Sequence, residues 1–89
     1  MEERDFGWAL RQLKNGAKVA REGWNGKGIF ICLQVPDENS KMTGPYIYID
    51  STGLQTFNTA APKVRVPWQA SQTDMLADDW ITDDELDSV

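Results

Sequence analysis

The sequence predicts an α+β domain: a small antiparallel sheet with an N-terminal helix and a short C-terminal helix. Three observations predict it. Near the start, Phe6, Ala9, Leu10 and Leu13 recur at helical spacing. In the middle, short β-branched and aromatic runs such as Tyr46-Ile47-Tyr48-Ile49 lie between turn signals. Towards the end, Ser71 and Asp74 have the S-x-x-D spacing of a capping box, which opens a helix.

The first helix spans Asp5 to Gly16. Acids precede it, Lys14 lies in its last turn, and Gly16 is suited to the position just past a helix end. Trp8 stands off the apolar stripe, so it either widens that face or meets a second subunit. Ala17 to Glu22 reads as a short strand. Asn25-Gly26 is then a strong hairpin signal, because both residues tolerate positive φ. The returning strand, Gly28 to Val35, sets Ile29, Ile31 and Leu33 on one face and Phe30, Cys32 and Gln34 on the other. A polar loop leads to the strand Tyr46 to Asp50. Ser51-Thr52-Gly53 turns the chain into Leu54 to Asn58, a further strand candidate, and Lys63 to Val66 is another. The closing helix is read from Ser71 to Trp80, with Trp80 directed to the core. Residues 1–81 form one ligand-binding domain; 82–89 read as an acidic, mobile tail.

An 89-residue chain buries a modest share of its surface, so association between copies is a natural source of further core. Four tryptophans are more than so small a core needs, and the surplus is the first hint of a ligand surface. The net charge of −5 is unevenly spread. All nine Lys and Arg lie at or before Arg65, and seven of the fourteen acids lie from Asp74 onward. That pattern argues against DNA binding, while the body can still accept an anion locally. The charged N-terminus has no apolar segment of the secretory kind, and no run approaches the length of a membrane span, so a cytoplasmic protein is expected.

Catalytic chemistry finds little support. The chain has no histidine and a single cysteine, Cys32, which sits in an apolar run and reads as a small buried hydrophobe. Gly23-Trp24-Asn25-Gly26-Lys27-Gly28 lacks the spacing and the following Ser/Thr of a phosphate-binding P-loop. Asp78, Asp79, Asp83 and Asp84 lack the loop glycine and closing glutamate of an EF-hand. Neither a metal site nor a cofactor is expected. A binding set remains. Trp24 lies at a hairpin tip, Trp68 precedes a helix start, and Arg21, Lys27 and Arg65 are close to them in sequence; from the residues alone, structural packing of both tryptophans is the competing reading. Flat aromatic faces with cations and backbone amides suit a phosphate-bearing nucleotide.

Two stretches carry a resemblance. Val19-Ala20-Arg21-Glu22-Gly23-Trp24-Asn25-Gly26-Lys27-Gly28 resembles the opening motif of a small phage and prophage family, and Trp68-Gln69-Ala70-Ser71-Gln72-Thr73-Asp74 through Trp80 resembles its closing signature. The element order also matches, over about residues 6–81. The family is the second type of Thoeris anti-defence protein, a nucleotide sponge. The resemblance implies a phage-encoded homotetramer in the cytoplasm of the infected host. It would sequester glycocyclic ADP-ribose made by a bacterial TIR-domain enzyme, without cleaving it, so that the Thoeris effector stays silent. Some relatives also take up cyclic dinucleotides. On this reading Trp24 and Trp68 are stacking walls and Phe30 is a third. Arg65, Lys27 and Asn25 are inferred to contact phosphate and ribose, with the helix start from Ser71 to Thr73. Stoichiometric capture of a scarce signal calls for a dissociation constant of about 1 nM, roughly −12 kcal/mol, and a pocket between subunits suits that. Two other functions fit the composition: a hydrolase that cleaves the signal, and an acidic decoy that inhibits a host protein through its tail.

Overall fold

The computed structural model describes residues 3–24 and 27–82. Helix α1 (Phe6–Lys14) starts where Asp5, in extended conformation, accepts the Trp8 amide at 2.8 Å. It ends before Gly16, whose φ of +90° is reached by glycine without steric cost. Strands β1 (Val19–Arg21), β2 (Phe30–Gln34), β3 (Tyr46–Asp50) and β4 (Arg65–Pro67) follow, then helix α2 (Gln72–Leu76) and strand β5 (Trp80–Thr82). The strands form one sheet in the order β4-β3-β2-β1-β5, with every neighbouring pair antiparallel. This is the α+β architecture that the sequence predicts.

Directly paired residues share a face of a sheet. The register Val19↔Ile31, Ile31↔Ile49 and Arg21↔Trp80 therefore defines one face, and α1 covers it with Trp8, Ala9 and Leu13. Trp8 widens the apolar face of the helix, and the Arg4 guanidinium lies 4.3 Å from its ring centroid. The far face carries Phe30, Cys32, Tyr48, Asp50, Arg65 and Pro67, again in register.

Two expectations are corrected. The segment expected to be helical up to Trp80 stops at Leu76, and Trp80 enters the core from a strand paired with β1. Asp78 and Asp79 at the C-terminal end of a helix would oppose its dipole. Ala77 turns extended, and the pairing buries Trp80 completely. Leu54 to Asn58 forms no strand beyond a single bridge from Gln55 to Lys27. Its backbone is engaged locally: Leu54 donates to the Ser51 carbonyl, Asn58 to Thr56 Oγ1, and Ala60 to Asn58 Oδ1. Such short side-chain bonds compete with a ladder. Thr82 belongs to β5, and the expectation for residues 83–89 lies outside the described residues. No helix among the described residues is long and apolar enough to cross a membrane.

Candidate functional site: a tryptophan cluster clamped by an ion pair

Trp24 and Trp68 come from distant parts of the chain and meet over the same buried ring. Trp68 continues from β4, where its amide donates to the Ile47 carbonyl at 3.0 Å, and so it joins the α1 face. Trp24 follows β1 and folds back onto that face. Both are half-buried, and both lean edge-on against Trp80, at centroid distances of 5.5 Å for Trp24 and 6.3 Å for Trp68. Phe6 closes the group, 5.5 Å from Trp80 and 6.3 Å from Trp68. Edge-to-face contacts of this kind add about 0.5–1.5 kcal/mol each beyond the area they bury.

The two outer indoles lie 6.4 Å apart with their planes at 63°. A ring sandwiched between parallel walls needs them about 7 Å apart, twice the ~3.5 Å contact distance. Trp24 and Trp68 thus form a stepped aromatic surface.

An ion-pair network fixes the Trp24 side of that surface. Arg21 donates from Nε to Asp79 at 2.8 Å and from Nη1 to Asp74 Oδ1 at 2.9 Å. Asp74 Oδ1 also accepts the Trp24 indole N–H at 3.2 Å, and its Oδ2 accepts the Ser71 amide at 3.2 Å. Asp79 Oδ2 takes the Gly23 amide at 2.8 Å. Gly23 has a steric reason to be glycine, because a Cβ there would stand 2.7 Å from that same oxygen. Burial tends to raise the Asp74 carboxyl, but the bonds from Arg21, Trp24 and Ser71 together hold it below the ordinary carboxylate range. Asp79 is held low in the same way, against burial, by Arg21 and the Gly23 amide. The bond from Asp79 pushes the Arg21 guanidinium up, against burial, with further support from Asp74.

The remaining predicted residues are divided by the sheet. Arg65 lies on the far face, where its Nε donates to Asp50 at 2.9 Å. The Asp50 carboxyl is lowered first by the Thr52 hydroxyl, with burial opposing and Arg65 adding a smaller contribution. Arg65 borders a groove of about 360 Å³ lined with Gln34, Tyr46, Tyr48, Val66 and Pro67. Tyr48 there is pushed up by burial and by its contact with Cys32. Phe30 is also on the far face, with the Lys18 ammonium 4.9 Å from its ring centroid. Lys27 is exposed at the bridge to Gln55. Ser71 caps α2 with Asp74 as its reciprocal partner, and Thr73 is exposed in the first turn. Asn25 lies outside the described residues. A single chain therefore unites Trp24 and Trp68 but keeps Phe30 and Arg65 on the opposite side of the sheet. The sequence reading omitted Asp74 and Asp79 from the site. The one signal in the sequence is Asp74 at the third position of the capping box, a position that the helix cap alone accounts for.

The fold and this surface define a small α+β domain with a braced aromatic patch. Residues 4–82 match the family model described as the Thoeris anti-defense 2-like domain. A curated relative from Bacillus phage SP01, Thoeris anti-defense 2, is 40% identical over 79 residues, covering 84% of this chain and 89% of the relative. The chain belongs to the Thoeris anti-defense 2-like family.

Proposed function

We propose that this protein counters Thoeris defence by capturing a cyclic ADP-ribose-type signal, glycocyclic ADP-ribose, and holding it intact in the cytoplasm of the infected cell. The observation that carries this reading is the meeting of Trp24 and Trp68 on one partly buried surface braced from behind. Stacking a nucleobase on such a face contributes about 1–3 kcal/mol. Two indoles thus supply a minority of the roughly −12 kcal/mol that nanomolar capture requires. The rest comes from phosphate contacts and from enclosing the ligand.

Enclosure involves a second copy of the chain. The Asp74 corner has two carboxylates for one guanidinium, so it repels phosphate. The phosphates then face away from it, towards Lys27 or towards an Arg65 contributed by another subunit. A homotetramer with pockets between subunits provides this arrangement.

Calorimetric titration with glycocyclic ADP-ribose tests the reading. Saturable tight binding is expected in the wild type, with a loss of about 100-fold in Trp24→Ala and in Trp68→Ala. Wild-type protein that yields no heat and shows no displacement of a labelled signal would contradict it.

A further inference from the structure

Asp74 makes more contacts than a capping residue needs. A capping box uses its third residue to return one bond to the cap, and Asp74 does this with Oδ2 on the Ser71 amide. Its other carboxylate oxygen is turned the opposite way and accepts from both Trp24 Nε1 and Arg21 Nη1. Its backbone carbonyl accepts a second indole, Trp80 Nε1, at 3.3 Å. One residue of a five-residue helix thereby orients two of the three indoles that build the aromatic surface.

We propose that Asp74 is the positioning residue of the ligand surface, fixing the angle at which Trp24 presents its face. The inference rests on the stacking role proposed for Trp24. A carboxylate is needed here, and an amide does not replace it. Both oxygens act only as acceptors, so the NH₂ of an asparagine would meet either the Ser71 amide or the Trp24 and Arg21 donors. Glutamate keeps both acceptors and adds one methylene, so it restores part of the arrangement.

The experiment follows Asp74→Asn and Asp74→Glu beside the wild type, with two readouts. The first is circular dichroism of the coupled indoles, assigned by the signal lost in Trp24→Phe. The second is the dissociation constant for glycocyclic ADP-ribose. Asp74→Asn is expected to lose the Trp24 contribution to the spectrum and to weaken binding roughly tenfold or more. Asp74→Glu is expected to recover part of both. Asp37→Ala, which removes local bonds to Asn39 and Ser40 in the loop after β2, is the control and should keep the spectrum. A folded Asp74→Asn with an unchanged Trp24 signal overturns the proposal, whatever the ligand does. If Asp74→Asn does not fold, the wild-type Trp24 indole proton decides. Slow exchange and a low-field NMR position support the bond to Asp74, and free exchange with water overturns it. A wild type that keeps the indole signal and binds no ligand defeats the stacking role alone.

Discussion

Among the described residues, the pairs Arg21–Asp74 and Arg65–Asp50 have equal lengths, 2.9 Å, and opposite designs. Arg21 and Asp74 are both largely shielded, with side chains 15% and 13% exposed. Arg65 and Asp50 are split, the arginine 65% exposed and the aspartate 7%. In the first pair the cation is enclosed by two carboxylates and has little left to offer a ligand. In the second the carboxylate is satisfied by Thr52 through both its amide and its hydroxyl, and the guanidinium stays accessible. Proximity in sequence to a tryptophan therefore says little about which arginine serves a ligand. The first pair is a brace, and the second leaves its guanidinium exposed, as the proposed ligand contact requires.

Substitutions can break or sharpen that contrast. The largest effect belongs to the ring on which the braced surface rests. Trp80→Ala removes a fully buried indole and is expected to cost about 3–5 kcal/mol, enough to leave a domain of this size largely unfolded by thermal denaturation. Arg21→Ala comes next. It strands two shielded carboxylates, and since both keep some contact with water the loss should be about 1–3 kcal/mol, read as a lowered Tm. Arg65→Ala should lower the Tm less than Arg21→Ala does, because the buried Asp50 carboxylate keeps both bonds from Thr52. Its effect should appear instead as weaker binding of the signal. If Arg65→Ala destabilised the fold as much as Arg21→Ala, the contrast between brace and contact would fail.

The smallest effect is a pH dependence. Asp50, Asp74 and Asp79 all have folded-state pKa values below the ordinary carboxylate range. Their contribution is complete above the unfolded value of about 3.9 and is lost as pH falls through the lower folded values. Tm should therefore be nearly flat from neutrality to about pH 5 and fall steeply below about pH 4. In Arg21→Ala the acid limb should be shallower, because Asp74 and Asp79 lose the partner that depresses them.

Local signals carried much of the fold. The stripe from Phe6 to Leu13, the Tyr46–Asp50 alternation and the capping box at Ser71 each depend on neighbours in sequence, and each formed. Strand β5 did not announce itself. Three residues flanked by acids have no pattern of their own, and only pairing with β1 makes Trp80–Thr82 a strand. Leu54 to Asn58 misled for the converse reason, because the Leu54 amide went to the Ser51 carbonyl and the Asn58 amide to Thr56 Oγ1 rather than to a ladder. The site divides in the same way. Trp24 and Trp68 were legible as surplus aromatics near turn signals, whereas their meeting over Trp80 is a product of topology. The separation of Phe30 from them was already present in the alternation of β2. Asp74 was concealed by its other task at the head of α2.

The most direct measurement is capture and release. Purified protein is mixed with glycocyclic ADP-ribose, stripped of free ligand, heat-denatured, and the released material identified by mass spectrometry. Recovery of the intact signal at a fixed ratio to protein is predicted, with recovery lost in folded Trp24→Ala and Trp68→Ala. Recovery of a cleaved product would make the protein an enzyme, and recovery of nothing would contradict capture by this surface.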